Sequence, residues 1–162
     1  MKFEGTVTIA APRDTAWAFL MDPNEVGRCG PGVESIEVID ETHFKAKAKV
    51  GVGFIKANFT IAMEMTDLQP PDHATVKAHG QAPGSAVDAT ARMDLRDGEA
   101  AGTTIMDWSA DVNIAGMLAS VGARMIEGTA HKMIDETFDC IKAKLEVSPA
   151  AATEVESGPA TR

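Results

Sequence analysis

Between Val33 and Ile114 polar and apolar residues alternate almost without interruption. Phe44, Ala46, Ala48 and Val50 fall on one side of their run, and Lys45, Lys47 and Lys49 on the other. The next run places Ile55, Ala57, Phe59, Ile61, Met63 and Met65 together. "HATVKAHG", "SAVDATARMDL" and "GTTIMDWSADVNI" continue the same period, the last setting Met106, Trp108, Ala110, Val112 and Ile114 against Asp107, Ser109, Asp111 and Asn113. A period of two is that of a strand with one dry and one wet face. The breaks ("DETH", "GVG", "QPPD", "APG", "RDGEAAG") are short and rich in turn formers, which predicts hairpins and an antiparallel meander. An earlier run, "KFEGTVTI", alternates too and predicts an opening strand.

Two stretches follow the other period. After Pro12, "RDTAWAFLM" carries Ala16, Trp17, Phe19 and Leu20 in a short helix that Asp22-Pro23 closes, with a second helical turn at Asn24 to Val26. From Gly116 to Leu145 there is no proline, and Leu118, Val121, Met125, Ile126, Met133, Ile134, Phe138, Ile141 and Leu145 recur at helical spacing. That predicts one helix of about 45 Å. The fold class is therefore α+β: a curved antiparallel sheet of about seven strands wrapped round a long C-terminal helix, with two short helices after the first strand. Residues 1–146 form the expected domain. Residues 147–162, rich in Pro, Ala, Thr, Glu and Ser, form a polar tail expected to be disordered.

Charge narrows the partners. The 162 residues carry a formal net charge of −9, which argues against nucleic acid and against simple adsorption on an anionic bilayer. No run approaches the ~18 apolar residues of a spanning helix, and no secretory signal opens the chain, so the expected location is the cytoplasm. Cys29 and Cys140 follow no metal-ligand spacing and read as two free thiols of a reducing compartment.

The residues alone leave two readings of the interior open, hollow or closed. Ala46, Ala48, Ala57, Ala78, Ala89, Ala91 and Ala110 all fall on the inward face, where a tightly packed sheet normally uses larger side chains. The chain has no Tyr and nine Met. The expected lining is Phe44, Phe59, Ile61, Met63, Ala78, Ala89 and Met93 from the earlier strands. Met106, Trp108 and Ala110 come from the last strand, and Leu118, Val121 and Met125 from the helix. The competing reading is that the flexible methionines bend inward and close the space.

Little here suggests catalysis. The loop "GRCGPG" holds Cys29 beside Arg28, but His43, His73, His79 and His131 are scattered, so no Cys-His pair follows. The loop reads instead as the rim of the cavity, with Cys29 and Pro31 at its mouth. His79 reads as solvated, and no metal site is expected. Of the residues that break the alternation, Glu64, Thr104, Thr129 and Thr137 are the only polar candidates for the interior.

The order of motifs resembles the G-subunit family of carbon monoxide dehydrogenase, within the START/polyketide-cyclase (SRPBCC-type) helix-grip superfamily. "IAAPRDTAWAFLMDP" resembles its opening strand, proline-capped helix and Asp-Pro stop, and "CGPG" (Cys29 to Gly32) its Cys-x-Pro-Gly loop. "GFIKANFTIAMEM", "HGQAPGSAVDATARMDL" and "GTTIMDWSADVNIAGMLASVGARMI" follow the same succession. The resemblance implies an internal hydrophobic pocket with no intrinsic cofactor, holding a quinone, fatty acid or other lipid. It also implies an accessory role beside a molybdenum-hydroxylase carbon monoxide dehydrogenase, in maturation, membrane recruitment or electron delivery, with peripheral contact at the inner face of the membrane. Family members often end in a membrane-attaching tail, whereas this tail is polar. Two other readings stay open: an enzyme of the same superfamily acting on a hydrophobic substrate as a cyclase or hydrolase, and an assembly factor with a closed cavity.

Overall fold

The structure, a computed structural model, describes residues 1–146; the predicted polar tail lies outside them. Seven strands form one antiparallel sheet: β1 (Lys2–Ile9), β2 (Val33–Val38), β3 (His43–Val52), β4 (Ile55–Gln69), β5 (His73–Ala82), β6 (Ser85–Asp97) and β7 (Thr104–Gly116). Their spatial order is β1-β7-β6-β5-β4-β3-β2. From β2 to β7 this is the hairpin meander that the alternation predicts, with Ala46 opposite Ile61, Met63 opposite Ala78 and Ala91 opposite Ala110.

The order also fixes a long crossing. β1 and β2 are consecutive in sequence yet lie at opposite edges of the sheet. The segment between them has to traverse the concave face, and it does so as α1 (Arg13–Leu20), α2 (Pro23–Val26) and a 3-10 turn at Gly27–Cys29. Asp22 and Pro23 start α2 as well as following α1: the Asp22 carboxylate accepts a hydrogen bond from the Asn24 N–H at 3.0 Å, and Pro23 takes the first helical position.

The C-terminal helix is shorter than predicted. β7 runs on to Gly116, a 3-10 turn covers Met117–Val121, and α3 spans Ala123–Glu146. Two glycines with positive φ make the difference, Gly116 at +85° and Gly122 at +96°. L-residues in a helix cannot adopt either conformation. At Gly116 a Cβ would also collide with the Gly84 carbonyl. Apolar spacing alone could not register that.

The core falls into separate clusters. Ile9, Ala16, Leu95, Met106, Ile141 and Leu145 anchor the C-terminal half of α3. Val52, Ile55, Phe59, Leu118 and Ile126 anchor its beginning. Within α3 only Ile126, Ile141 and Leu145 are fully buried. The helix is thus most deeply buried near its two ends, roughly 22 Å apart at 1.5 Å per residue, with Phe3 of β1 against His131 between them.

Candidate functional site

Between the sheet, the crossing segment and the C-terminal half of α3 lies a cavity of about 410 Å³, within the range of small-molecule sites. Its floor is the concave sheet, through Phe44, Ala46, Ile61, Met63, Met65, Ala74, Val76, Ala91, Met93, Met106 and Trp108. Its cover is the crossing segment and β2, through Leu20, Met21, Pro23, Val26, Gly27, Gly30, Val33 and Ile36, closed on the remaining side by Thr137 and Phe138 of α3. Trp108 and Phe138 meet with ring centroids 5.3 Å apart, a contact that fixes one wall. Met63, Met65, Met93 and Met106 line the space and leave it open.

The wall is almost free of polar side chains. Arg92 and Ser109 touch the cavity, but they face each other across β6 and β7 at positions that alternate with the inward Ala91, Met93 and Trp108. The Arg92 guanidinium instead donates to Asp111 at 3.3 Å in an exposed pair. The Thr137 hydroxyl donates to the Met133 carbonyl at 2.7 Å, leaving only its lone pairs for a guest. Thr104, wholly buried, donates to the Ala11 carbonyl at 2.7 Å and is occupied structurally. Glu64 is exposed, on the outer face with His43.

Several expected lining residues lie elsewhere. Phe44, Ile61, Met63, Met93, Met106 and Trp108 line the cavity. Phe59, Leu118 and Val121 belong to the cluster at the start of α3. Met125 is 47% exposed. Ala110 pairs with Phe3 and Ala91 beyond the lining. Ala78 and Ala89, paired across β5 and β6, border a shallow hollow with Lys77, His79 and Asp88. The rim loop contributes Gly27 and Gly30, while Cys29 and Pro31 are not among the lining residues.

The thiol reading is corrected outright. Cys29, 4% exposed, forms a disulfide with Cys140 of α3, and neither cysteine is free. Cys29 is therefore no nucleophile, and the argument from free thiols for a reducing compartment falls with it. The bond ties the cavity-covering loop to α3. No sequence spacing announces it, because the partners lie on elements that only the fold brings together.

The histidines sit on the outside or at the sheet's end, not in the cavity. His73 is held by Asp94 at 2.8 Å and Asp67 at 3.0 Å. The hydrogen bond to Asp94 raises its pKa above the ordinary value, and Asp67 adds to the shift. The hydrogen bond to Asp40 does the same for His43. Among the described residues no group of three or more His, Cys, Asp or Glu could hold a metal ion, and no helix is long and apolar enough to cross a membrane.

An antiparallel sheet gripping a C-terminal helix over an apolar cavity is an arrangement that known proteins share. Residues 5–146 match the model of the family described as the carbon monoxide dehydrogenase G subunit (CoxG). The chain belongs to the CoxG family. Its fold is shared by a conserved protein from Geobacillus kaustophilus, 26% identical over 91% of this chain and 97% of that one, with a TM-score of 0.84. The Zhui aromatase/cyclase from Streptomyces sp. R1128 is 17% identical over 98% and 99%, with a TM-score of 0.70. A START superfamily protein from Mycobacterium smegmatis is 11% identical over 90% and 97%, with a TM-score of 0.66. At the last two identities the likeness concerns the fold alone. No curated protein matches the sequence. The CoxG-family chain thus shares its fold with a START superfamily protein and an aromatase/cyclase.

Proposed function

We propose that this CoxG-family protein is a non-catalytic carrier that holds a hydrophobic molecule, a quinone or a fatty-acid-like lipid, in the cavity between the sheet and the crossing segment. The observation that carries the reading is the wall itself. About 410 Å³ is enclosed by Leu, Met, Val, Ile, Ala, Phe and Trp side chains, and the one hydroxyl clearly on the wall, that of Thr137, already donates within α3. A general acid or base would need an ionisable group within hydrogen-bond reach of a guest, and the only ionisable lining residue, Arg92, spends its guanidinium on Asp111. The hydrocarbon part of such a guest loses no hydrogen bonds there, whereas a substrate polar along its whole length would leave its groups unpaired.

The family description supports a partner as well. In this reading the loaded protein serves a molybdenum-hydroxylase carbon monoxide dehydrogenase or a related enzyme, as an accessory factor in maturation, membrane recruitment or electron delivery. Calorimetric titration with a short-chain quinone and with a medium-chain fatty acid tests the cavity. Saturable binding at one molecule per chain is expected for at least one of them. Heat of dilution alone for both overturns the reading.

A further inference from the structure

A covalent bond crosses the wall of the cavity. Gly27 and Gly30 of the cover line one side of a seam, Thr137 and Phe138 of α3 line the other, and Cys29–Cys140 joins the two. The two sides are held very differently. α3 is fixed without the bond, because Ile141 and Leu145 are buried against Ile9, Leu95 and Met106. The cover is fixed only at its ends, where Ala16 of α1 is fully buried and the Gly32 carbonyl accepts from the Lys49 N–H at 2.9 Å. Between those anchors every hydrogen bond of residues 22–31 ends within residues 19–33, and neither Glu25 nor Arg28 has an ion pair among the described residues.

The rest of the hold on the cover is apolar contact, which is non-directional and lets surfaces slide or part. The disulfide is therefore the one directional tie between the middle of the cover and α3. Its two sulfurs also differ in access. Cys29 is 4% exposed, whereas Cys140 is only half-buried on α3. A thiolate arriving from solvent reaches the Cys140 Sγ, and Cys29 is the leaving group.

We infer that the Cys29–Cys140 bond is a redox latch on guest exchange. Oxidised, it holds the cover shut over the cavity; reduced, it lets the cover swing on its two anchored ends and the guest leave along the seam. This rests on the carrier reading above. The reductant is a dithiol. One of its thiolates attacks the Cys140 Sγ, the S–S bond breaks, and Cys29 departs as a thiolate that takes up a proton. The second thiol of the reductant, as thiolate, then displaces Cys140, which is protonated in turn, and the reductant leaves as its own disulfide. Two electrons and two protons have passed to the protein. Exchange with a disulfide compound runs the same steps backwards and closes the latch. A bond that served only to staple the fold would change stability and leave the rate of guest release alone.

Release of N-phenyl-1-naphthylamine, an uncharged apolar fluorophore that dithiols do not reduce, tests the latch on the full chain. Its dissociation rate is read by stopped-flow dilution from the oxidised protein, from the protein reduced with dithiothreitol, and from reduced protein reoxidised with oxidised glutathione. Reduction should speed release at least about tenfold, because movement of the cover sets the rate, and reoxidation should restore the slow rate. Cys140→Ser should release at the fast rate with or without dithiothreitol, and a thermal melt of each sample checks that it is folded. Equal release rates in the two redox states overturn the latch and leave the carrier reading standing. No binding of the probe in either state overturns both. A reduced wild type without a cooperative melt also overturns the latch, since the bond would then hold the whole fold and not the cover.

Discussion

Cys29 and Cys140 are joined by a disulfide across 111 residues of sequence, with their Cα atoms 5.4 Å apart. The bond fastens the loop that covers the cavity to the helix that closes one side of it. Gly27 and Gly30, on either side of Cys29, line the cavity, as do Thr137 and Phe138, just before Cys140. One covalent link therefore holds both sides of one wall.

Cutting that link should loosen the cover and cost stability. Cross-links closing long loops typically stabilise by about 2–4 kcal/mol. Cys140→Ser, or reduction of the wild type, is expected to lower the free energy of unfolding in urea by that amount. A thiol assay on the denatured, unreduced protein should find no free thiol. Two titrating thiols, or a Cys140→Ser variant as stable as wild type, would contradict the assignment.

Filling the cavity should separate binding from folding. Ala91 lines the floor and faces Ala110 across the sheet. Ala91→Leu adds apolar volume toward the empty space, so stability should hold or rise by about 1 kcal/mol. Affinity for a quinone or fatty acid should fall at least about tenfold, because guest and side chain compete for the same volume. Calorimetric titration beside a thermal melt reads both. Equal affinity in the variant would place the guest elsewhere.

Thr104 has a structural task that its buried hydroxyl makes costly to remove. Thr104→Val keeps the shape and strips the donor from the Ala11 carbonyl. The expected loss is about 1–3 kcal/mol in urea unfolding, with ligand affinity unchanged, since Thr104 does not line the cavity. A variant that binds poorly but unfolds normally would give Thr104 the interior role that the structure denies it.

His73 should make stability depend on pH. Its pKa is raised above the ordinary 6.5 by the hydrogen bond to Asp94 and by Asp67. The folded state therefore holds this proton more tightly than the unfolded chain. The contribution is complete below 6.5 and disappears as pH rises through the raised folded value. The melting temperature should decline across that window, and His73→Gln should flatten part of the decline. His43, raised in the same sense by Asp40, supplies some of the rest. A slope identical in His73→Gln would show that His73 contributes nothing.

What the sequence makes legible follows from what periodicity measures. Alternation reports which side of a strand faces inward, and on that basis it places Phe44, Ala46, Ile61 and Met93 on the concave side. It says nothing of position along that face. Phe59 shares the inward side, yet it packs with Leu118 and Val121 in the cluster at the start of α3, not in the cavity. Leu20, Met21, Pro23 and Val26 cover the cavity because β1 and β2 lie at opposite sheet edges, a fact of topology that no local pattern contains. The shortening of the predicted long helix has a similar cause. Leu118 and Val121 keep apolar spacing through Met117–Val121, but positive φ at Gly116 and Gly122 sets that turn apart from α3. The disulfide is illegible for the most direct reason, since Cys29 and Cys140 become neighbours only after the crossing segment has packed on α3.

The cavity, on this account, exists to hold an apolar molecule. Native mass spectrometry of the protein as purified, followed by solvent extraction and identification of what is released, addresses that claim most directly. The account predicts a near-stoichiometric mass excess belonging to a quinone or acyl lipid, lost in Ala91→Leu. An apo mass alone, with no uptake of added quinone or fatty acid, would contradict it.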